Sequence, residues 1–473
     1  MGSSPTFRMR GMSETSSPAC FRRYQEVKHL LFVNPWIYDF TAYDFWLKPL
    51  GLLQIAAIVR QWTGAAVHFI DCLDRFHPGL PHKYLSKPDG RGPFPKEAVA
   101  KPEVLRFVPR KFSRYGLPIS LFKEELERLP TPEGVLLTCS LTYWYPGVQM
   151  VCELIRQHYG QVPIILGGVY PTLIPEHARA ESGADYVVVG PGENQILPLL
   201  REILGDRFVQ ERRFETLDDL PLPAYDLLRP TDTLPLLISR GCPFRCTYCA
   251  SSLLWPQFET RSVATVLADI EFMVRKLNCR NLAFYDDALL INQKNHFQPL
   301  LEGIICRQLP LSFHTPNGLQ VRAIEADLAQ LMKQANFVSI YLSQESLNPN
   351  WLQSTSPKVS PDDLARALNY LEEAGFERQR LNVYLLAGFP GQDWSQVERD
   401  VLEVLRLGAQ PRLAFFSPIP GTQEWERLIA QGKLKRDSDP LLQNKIAFLH
   451  LEDETIGLKL RRIEQLIRGR EEP

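Results

Sequence analysis

The sequence predicts an α/β protein built from two tandem domains, a doubly wound parallel sheet followed by a partial barrel. Three observations carry this reading. Up to residue 205, short Val/Ile/Leu-rich strands alternate with amphipathic helices. An acidic, proline-rich stretch then breaks the pattern at 206–233. Beyond it, six strand-like segments recur, each followed by helical sequence, which implies parallel strands with right-handed crossovers. With 473 residues there is ample chain for two buried cores. Lys plus Arg total 53 against 54 for Asp plus Glu, so no global field favours nucleic acid or an anionic membrane surface. Hydrophobic residues at 45% and charged residues at 23% exclude disorder for most of the length.

Residues 1–25 read as a flexible tail. They lack the apolar segment of a secretion signal, so a cytoplasmic location is expected; Gly2 and Thr6 fit only a loose myristoylation pattern. No apolar run reaches the ~18–20 residues of a membrane span. The first domain, 26–205, contains the strand-like segments HLLFVNP, AAVHFIDCLD, GVLLTCSL, VPIILGG and DYVVVG, with helices over LGLLQIAAIVRQW and Val148 to His158. In such a sheet, ligands bind at the carboxyl ends of the strands. An insertion at 78–132 carries ten prolines and many basic residues and reads as a solvated excursion in preference to a lid. After the linker, the barrel spans 234–421, with strands in LPLLISRG, NLAFYDD, LSFHTPNGL, FVSIYLSQES, RLNVYLLAGFPG and RLAFFSPIPG. Each strand ends in polar or glycine-rich residues, so chemistry is expected to collect at that mouth. Residues 422–473 form a helical extension with a solvated basic face.

Nine cysteines, three of them within eight residues, suit a metal site in a reducing compartment better than a disulfide framework. Cys72, Cys139, Cys152, Cys279 and Cys306 read as small buried hydrophobes. Cys242, Cys246 and Cys249 follow the first barrel strand as C-x3-C-x2-C. Zinc normally needs a fourth protein ligand, and no plausible one follows closely. A cubane on three thiolates leaves one iron open for chemistry.

The segment GCPFRCTYC after a strand resembles the signature of the radical SAM superfamily. YDDALLIN, PNGLQVRAI, LSQES and YLLAGFPGQ resemble the strand ends of its barrel, over roughly Leu234 to Gly421. The first half, through TCSLTYWYPG, ILGGVYPTLIPEHA and ADYVVVGPGE, resembles the Rossmann-like cobalamin-binding domain that precedes the barrel in one branch. The resemblance implies that Cys242, Cys246 and Cys249 ligate a [4Fe-4S] cluster whose open iron chelates S-adenosylmethionine. It places Tyr248, Asp286, Asp287, Glu345 and Ser346 around S-adenosylmethionine, although paired acids depart from the usual Gly-Gly-Glu form. Gly388 to Gly391 would shape a turn near the adenine. For cobalamin it implies Ser140, Thr142, Gly167, Gly168, Gly190, Gly192 and Glu193. The Asp-x-His-x-x-Gly motif that supplies a histidine to cobalt is absent, and His77 in DRFHPG has altered spacing. Tyr143, Trp144 and Tyr145 could line that face, although packing is the simpler reading.

The implied activity is methylation of an unactivated carbon of a small-molecule or biosynthetic substrate, through methylcobalamin and a 5′-deoxyadenosyl radical. A flavodoxin- or ferredoxin-type protein would donate the electron. The competing readings are a radical cyclisation or rearrangement without methyl transfer, and a non-catalytic cluster and corrin sensor.

Overall fold

The computed structural model describes residues 27–81 and 87–469; the possible myristoylation site and the whole N-terminal tail lie outside them. The first sheet has five parallel strands, β1 (His29–Asn34), β2 (Ala66–Asp71), β3 (Gly134–Cys139), β4 (Ile164–Gly168) and β5 (Tyr186–Val187). They lie in the order β5-β4-β3-β1-β2. Chain direction across the sheet reverses between β1 and β3, which opens a crevice at their carboxyl ends. Leu30, Leu31, Phe32 and Val33 of β1 are buried, as befits a central strand covered on both faces. Helix α1 (Leu50–Trp62) packs Leu52, Ala56 and Val59 into one of those faces and Leu53 into the barrel core.

The second domain is the predicted partial barrel. Its strands are β6 (Thr233–Leu236), β7 (Asn281–Phe284), β8 (Ser312–His314, resuming at Leu319–Gln320), β9 (Phe337–Ser339, resuming at Tyr341–Glu345), β10 (Asn382–Ala387) and β11 (Gln410–Phe415). All pair in parallel, and breaks in β8 and β9 divide them into two four-stranded sheets. Phe284, Phe313 and Phe337 stack in the layer between strands and helices. Helix α2 (Val263–Leu277), between β6 and β7, starts where Ser262 accepts the Thr265 amide and ends at left-handed Asn278.

The insertion departs from the solvated reading in part, since Lys96, Arg106, Arg110 and Lys111 are exposed as expected while other segments pack. Its strands Lys96–Ala98 and Ser113–Tyr115 form an antiparallel sheet with Ile37–Asp39. Arg75 donates to buried Asp44 at 3.0 Å. Side chains alternate across a strand, so His314 points to the barrel interior where Phe313 points out. There Trp46 stacks on His314 at 4.5 Å, and the Arg91 guanidinium lies 4.7 Å from the Trp46 ring. Arg91 also donates to the Tyr341 hydroxyl at 3.0 Å. Residues 44–48 and 89–91 therefore plug the barrel, and burial pushes the fully enclosed His314 down to about 4. At Arg91, cation–π and hydrogen-bond contacts replace the water that a charged loop was expected to keep.

The C-terminal extension ties the domains together. Asn444 donates to Asp39 at 2.9 Å, Tyr145 donates to Asp439 at 3.2 Å, and Ile463 enters the barrel core. Arg461, Arg462 and Arg468 face solvent, as the sequence predicts. Cys306 is exposed, unlike the other scattered cysteines resolved here, because it sits on the outer face of the helix Phe297–Arg307. No helix of the described residues is long and apolar enough to cross a membrane.

Candidate functional site

A cavity of about 400 Å³ opens at the carboxyl ends of β3, β4 and β5, beside the point where the strand order reverses. Ser140, Gly167, Gly168, Gly190, Gly192 and Glu193 all line it. A β-carbon added at Gly167 or Gly190 would meet nothing within 4 Å, so these glycines leave open volume. Gly168 has φ +103°, and a β-carbon there would stand 2.9 Å from the Cys139 carbonyl; its small size is a backbone requirement.

Thr142 is not brought to this wall. The chain turns into a short 3-10 helix at Thr142–Trp144, and the buried Thr142 hydroxyl bonds Gln443 of the extension. Tyr143 is buried, Trp144 donates to Asp39 at 2.9 Å, and Tyr145 binds Asp439, so the aromatic run serves packing. His77 lies just before the insertion, 3.4 Å from Glu125.

The barrel supplies the far wall through Leu237, Arg240, Trp255 and Tyr285, which the sequence reading did not select. Arg240 pairs with Glu193 at 2.7 Å, both largely buried, and its guanidinium lies 4.5 Å from the Trp255 ring centre. Glu193 thus spends its charge on a bridge between the domains. Lys48 to Gly51 at the start of α1 complete the wall, and Gly51 again leaves open space. For the α1 stretch, the sequence signal was a small residue, Gly51, in the first turn of a helix.

Gly167 offers a direct test of the cavity. Gly167→Val should leave the fold intact, because the new side chain enters free volume on a strand. It should weaken corrin binding by roughly tenfold or more, since overfilling occupied space costs about 1–3 kcal/mol. Equilibrium dialysis against hydroxocobalamin, with a thermal melt as the folding control, reads both; unchanged affinity would place the corrin elsewhere.

The cysteine loop begins two residues beyond Arg240. A short ladder, Ser239 to Thr260 and Arg240 to Glu259, closes its base. Thr247 anchors the loop by donating to Glu424 at 2.6 Å and, through its amide, to the Thr355 carbonyl at 3.0 Å. The three thiols are half-buried and free. Burial pushes Cys242 up to about 11 and raises Cys246, while nearby Lys358 acts in the opposite direction on both. Among the described residues, no three His, Cys, Asp or Glu side chains converge tightly enough to hold a single metal ion. The Cys242 thiol nevertheless lies near enough to Cys246 and Cys249 for both to act on it. Three neighbouring soft ligands too spread for one ion suit a cluster whose ligands sit on different irons.

The other strand-end residues divide. Tyr248 is half-buried, edge-on to Phe389 at 5.4 Å. Glu345, at φ +71°, is buried, pairs with Lys358 at 2.6 Å and keeps Oε2 without a hydrogen-bond partner. Burial opposes the charge on Lys358, but Glu345 and the thiols of Cys246 and Cys242 raise its pKa above the usual lysine value. A free carboxylate oxygen beside an ammonium suits a zwitterion. Asp287 is exposed and shares Ser251 with Cys249. Asp286 and Ser346 turn away from this group. Asp286 is buried and accepts from the Ser239 amide at 2.6 Å, the Ile238 amide at 3.2 Å and the Ser239 hydroxyl. Ser346 donates to Asp400 at 2.7 Å. The Gly388 amide donates to Gln392 at 2.7 Å, making residues 388–392 a closed turn.

A model of the B12 binding domain matches residues 122–199, and a model of the radical SAM superfamily matches residues 236–404. An uncharacterized methyltransferase of Pyrococcus horikoshii is 25% identical over 368 residues, covering 70% of this chain and 77% of its own. An anaerobic magnesium-protoporphyrin IX monomethyl ester cyclase of Cereibacter sphaeroides is 24% identical over 275 residues, 51% of this chain and 44% of its own. The structure of the radical S-adenosylmethionine methyltransferase TsrM from Kitasatospora setae, with cobalamin and a [4Fe-4S] cluster bound, superposes with a TM-score of 0.63 at 15% identity, over 89% of this chain and 85% of that one. The B12 binding match contains the strand-end glycines that wall the cavity, and the radical SAM match contains the cysteine loop. With both domains matched in this order, the chain belongs to the radical SAM superfamily, as a member that carries a B12 binding domain ahead of its barrel.

Proposed function

We propose that the protein is a cobalamin-dependent radical SAM enzyme that methylates an unactivated carbon of a small-molecule substrate. The observation that carries this reading is the shared wall: Arg240 and Trp255 bound the glycine-lined cavity while flanking the cysteine loop in sequence. Groups held on the two sides of that wall are neighbours, and proximity converts a rare encounter into an effectively intramolecular one. When bound, the cluster and S-adenosylmethionine supply a 5′-deoxyadenosyl radical and the corrin supplies a transferable methyl group. Cys242, Cys246 and Cys249 hold the cluster as thiolates. Glu345 and Lys358 offer opposite charges to the methionine zwitterion, and Tyr248 offers an aromatic face to the adenine. The glycines of β4 and of the 190–192 loop admit the corrin. Hydrogen-atom abstraction needs no side chain as general base. A flavodoxin- or ferredoxin-type donor, a cytoplasmic setting and no nucleic-acid partner fit this reading, given the reduced thiols and the net charge of -1.

The test is anaerobic turnover of the reconstituted protein with methyl-labelled S-adenosylmethionine, a reductant and a metabolite extract. One labelled product, one S-adenosylhomocysteine and one 5′-deoxyadenosine per turnover are expected. If 5′-deoxyadenosine forms in step with substrate loss and no label reaches product, cyclisation or rearrangement replaces methyl transfer.

A further inference from the structure

One ion pair joins the wall of the large cavity to the root of the cysteine loop. Glu193 follows the glycines of the 190–192 loop, and all of these residues line the cavity. The loop is braced on its own side. The Thr172 hydroxyl accepts the Gly190 amide at 3.0 Å, and the Asn194 side chain exchanges hydrogen bonds of 2.8 and 2.9 Å with the backbone of Phe214 in the linker. From this braced segment the Glu193 carboxylate reaches the other domain and meets Arg240 Nη2 at 2.7 Å. The Trp255 ring flanks the guanidinium at 4.5 Å.

Arg240 has little freedom to move without taking the cysteines along. The Ser239 amide before it donates to buried Asp286 at 2.6 Å, and Arg240 itself pairs with Glu259 across the short ladder. Gly241 after it has φ +80°, and a β-carbon there would stand 2.3 Å from the Gln257 carbonyl oxygen, so the backbone is pressed against the returning arm of the loop. Cys242 comes next. Between the ion pair and the first thiol, the chain has no slack.

The pair is a two-state contact, made or broken, and a ligand on either side biases it. Breaking a mostly buried ion pair leaves both charges short of solvent, so the made state is preferred wherever Glu193 is held in place. How firmly it is held depends on the cavity. A β-carbon on Gly190 would meet nothing within 4 Å, so an occupant can pack against this loop and restrict it. That ordering lowers the entropy still to be lost when Arg240 and the cysteines are fixed. A cluster on Cys242 restricts the same pair from the other side. Two ligands that order one shared contact bind with positive cooperativity, and the effect is reciprocal.

We propose that the Glu193–Arg240 pair couples the two cofactor sites, with Arg240 as a positioning residue through which corrin binding and cluster binding reinforce each other. The inference rests on the cobalamin and cluster readings of the two sites. Such coupling favours chains that carry both cofactors over chains that carry one, which suits a reaction needing both.

Equilibrium dialysis of the full chain against hydroxocobalamin tests this without turnover. The protein is either reconstituted anaerobically with iron and sulfide or stripped by a chelator, and the coupling is the ratio of the two dissociation constants. Wild type should bind the corrin roughly tenfold more tightly when the cluster is present. In Glu193→Gln and in Arg240→Met the ratio should fall to about one, whereas Arg240→Lys, which keeps a cation, should retain part of it. The ratio separates coupling from simpler roles, because loss of a direct contact with the corrin weakens binding in both forms alike. Iron release to bathophenanthroline disulfonate should also slow when hydroxocobalamin is added to reconstituted wild type, and this protection should be absent in Glu193→Gln. Equal affinity in the two forms of wild type, or a wild-type ratio in both Glu193→Gln and Arg240→Met, would overturn the inference alone. If wild type binds no corrin in either form, or takes up no cluster, the underlying reading fails and the inference falls with it.

Discussion

Cleavage of S-adenosylmethionine is expected to fall to background when Cys242, Cys246 or Cys249 is replaced by Ala, while Cys279→Ala leaves it largely intact. The contrast follows from position. Cys242, Cys246 and Cys249 share one half-buried loop, whereas Cys279 is fully buried in the barrel core, where its thiol donates to the Asn281 carbonyl at 3.3 Å. Losing one of three thiolates exposes a second iron and leaves the cluster without the protein ligands it needs. Iron and sulfide content after anaerobic reconstitution, together with 5′-deoxyadenosine release, measures the effect. Full cluster content in a Cys246→Ala protein, or zinc in place of iron in the wild type, would overturn the assignment.

Asp286→Ala is expected to destabilise the protein by roughly 3–5 kcal/mol, because it strips the acceptor from the Ile238 and Ser239 amides and the Ser239 hydroxyl at one stroke. Those groups form the turn from which the cysteine loop departs, so cluster retention should fall with stability. Asp286→Asn retains a carbonyl oxygen at the same place and should cost no more than about 1 kcal/mol. The pair also separates by pH. Burial pushes the Asp286 carboxyl up to about 7 from its ordinary 3.8. Between those values the folded chain holds a proton that the unfolded chain releases. The stabilisation from Asp286 is therefore complete below about pH 4 and is lost as pH rises through about 7. Asparagine does not ionise, so the Asn variant should gain on wild type in urea melts as pH is raised from 4 to 8. A constant difference over that range would mean that Asp286 stays ionised throughout.

Features written in short stretches of sequence were the ones that could be read. Parallel strands announce themselves as brief apolar runs between helices, so all five strands of the first sheet lie within the predicted segments and all six of the barrel overlap theirs, with β6, β8 and β11 extending one or two residues beyond. The cysteine spacing and the glycines at 167–168 and 190–192 are equally local. Pairs joined only by folding were not legible. Glu193 was selected as a cofactor contact, yet its nearest charge is Arg240 on the other domain. Asp286 stood in a motif-like position, but its partners precede it by more than forty residues. Thr142 shares a segment with Ser140 and differs in fate because the backbone coils between them and sends its hydroxyl to Gln443. The linker reads as a spacer from its prolines, and only the folded chain shows Phe214 bracing Asn194.

The tryptophan plug bears on how such proteins can be recombined. Trp46 and Arg91 belong to the first half of the chain but occupy the centre of the second, against His314 and Tyr341. A barrel excised from its own N-terminal half would expose the His314 ring and leave a hollow that the helices outside cannot fill. Grafting this barrel onto a foreign corrin domain would import the same vacancy unless residues 44–48 and 89–91 travelled with it. The boundary at the linker divides the sequence, but the unit that can be exchanged is larger than either domain.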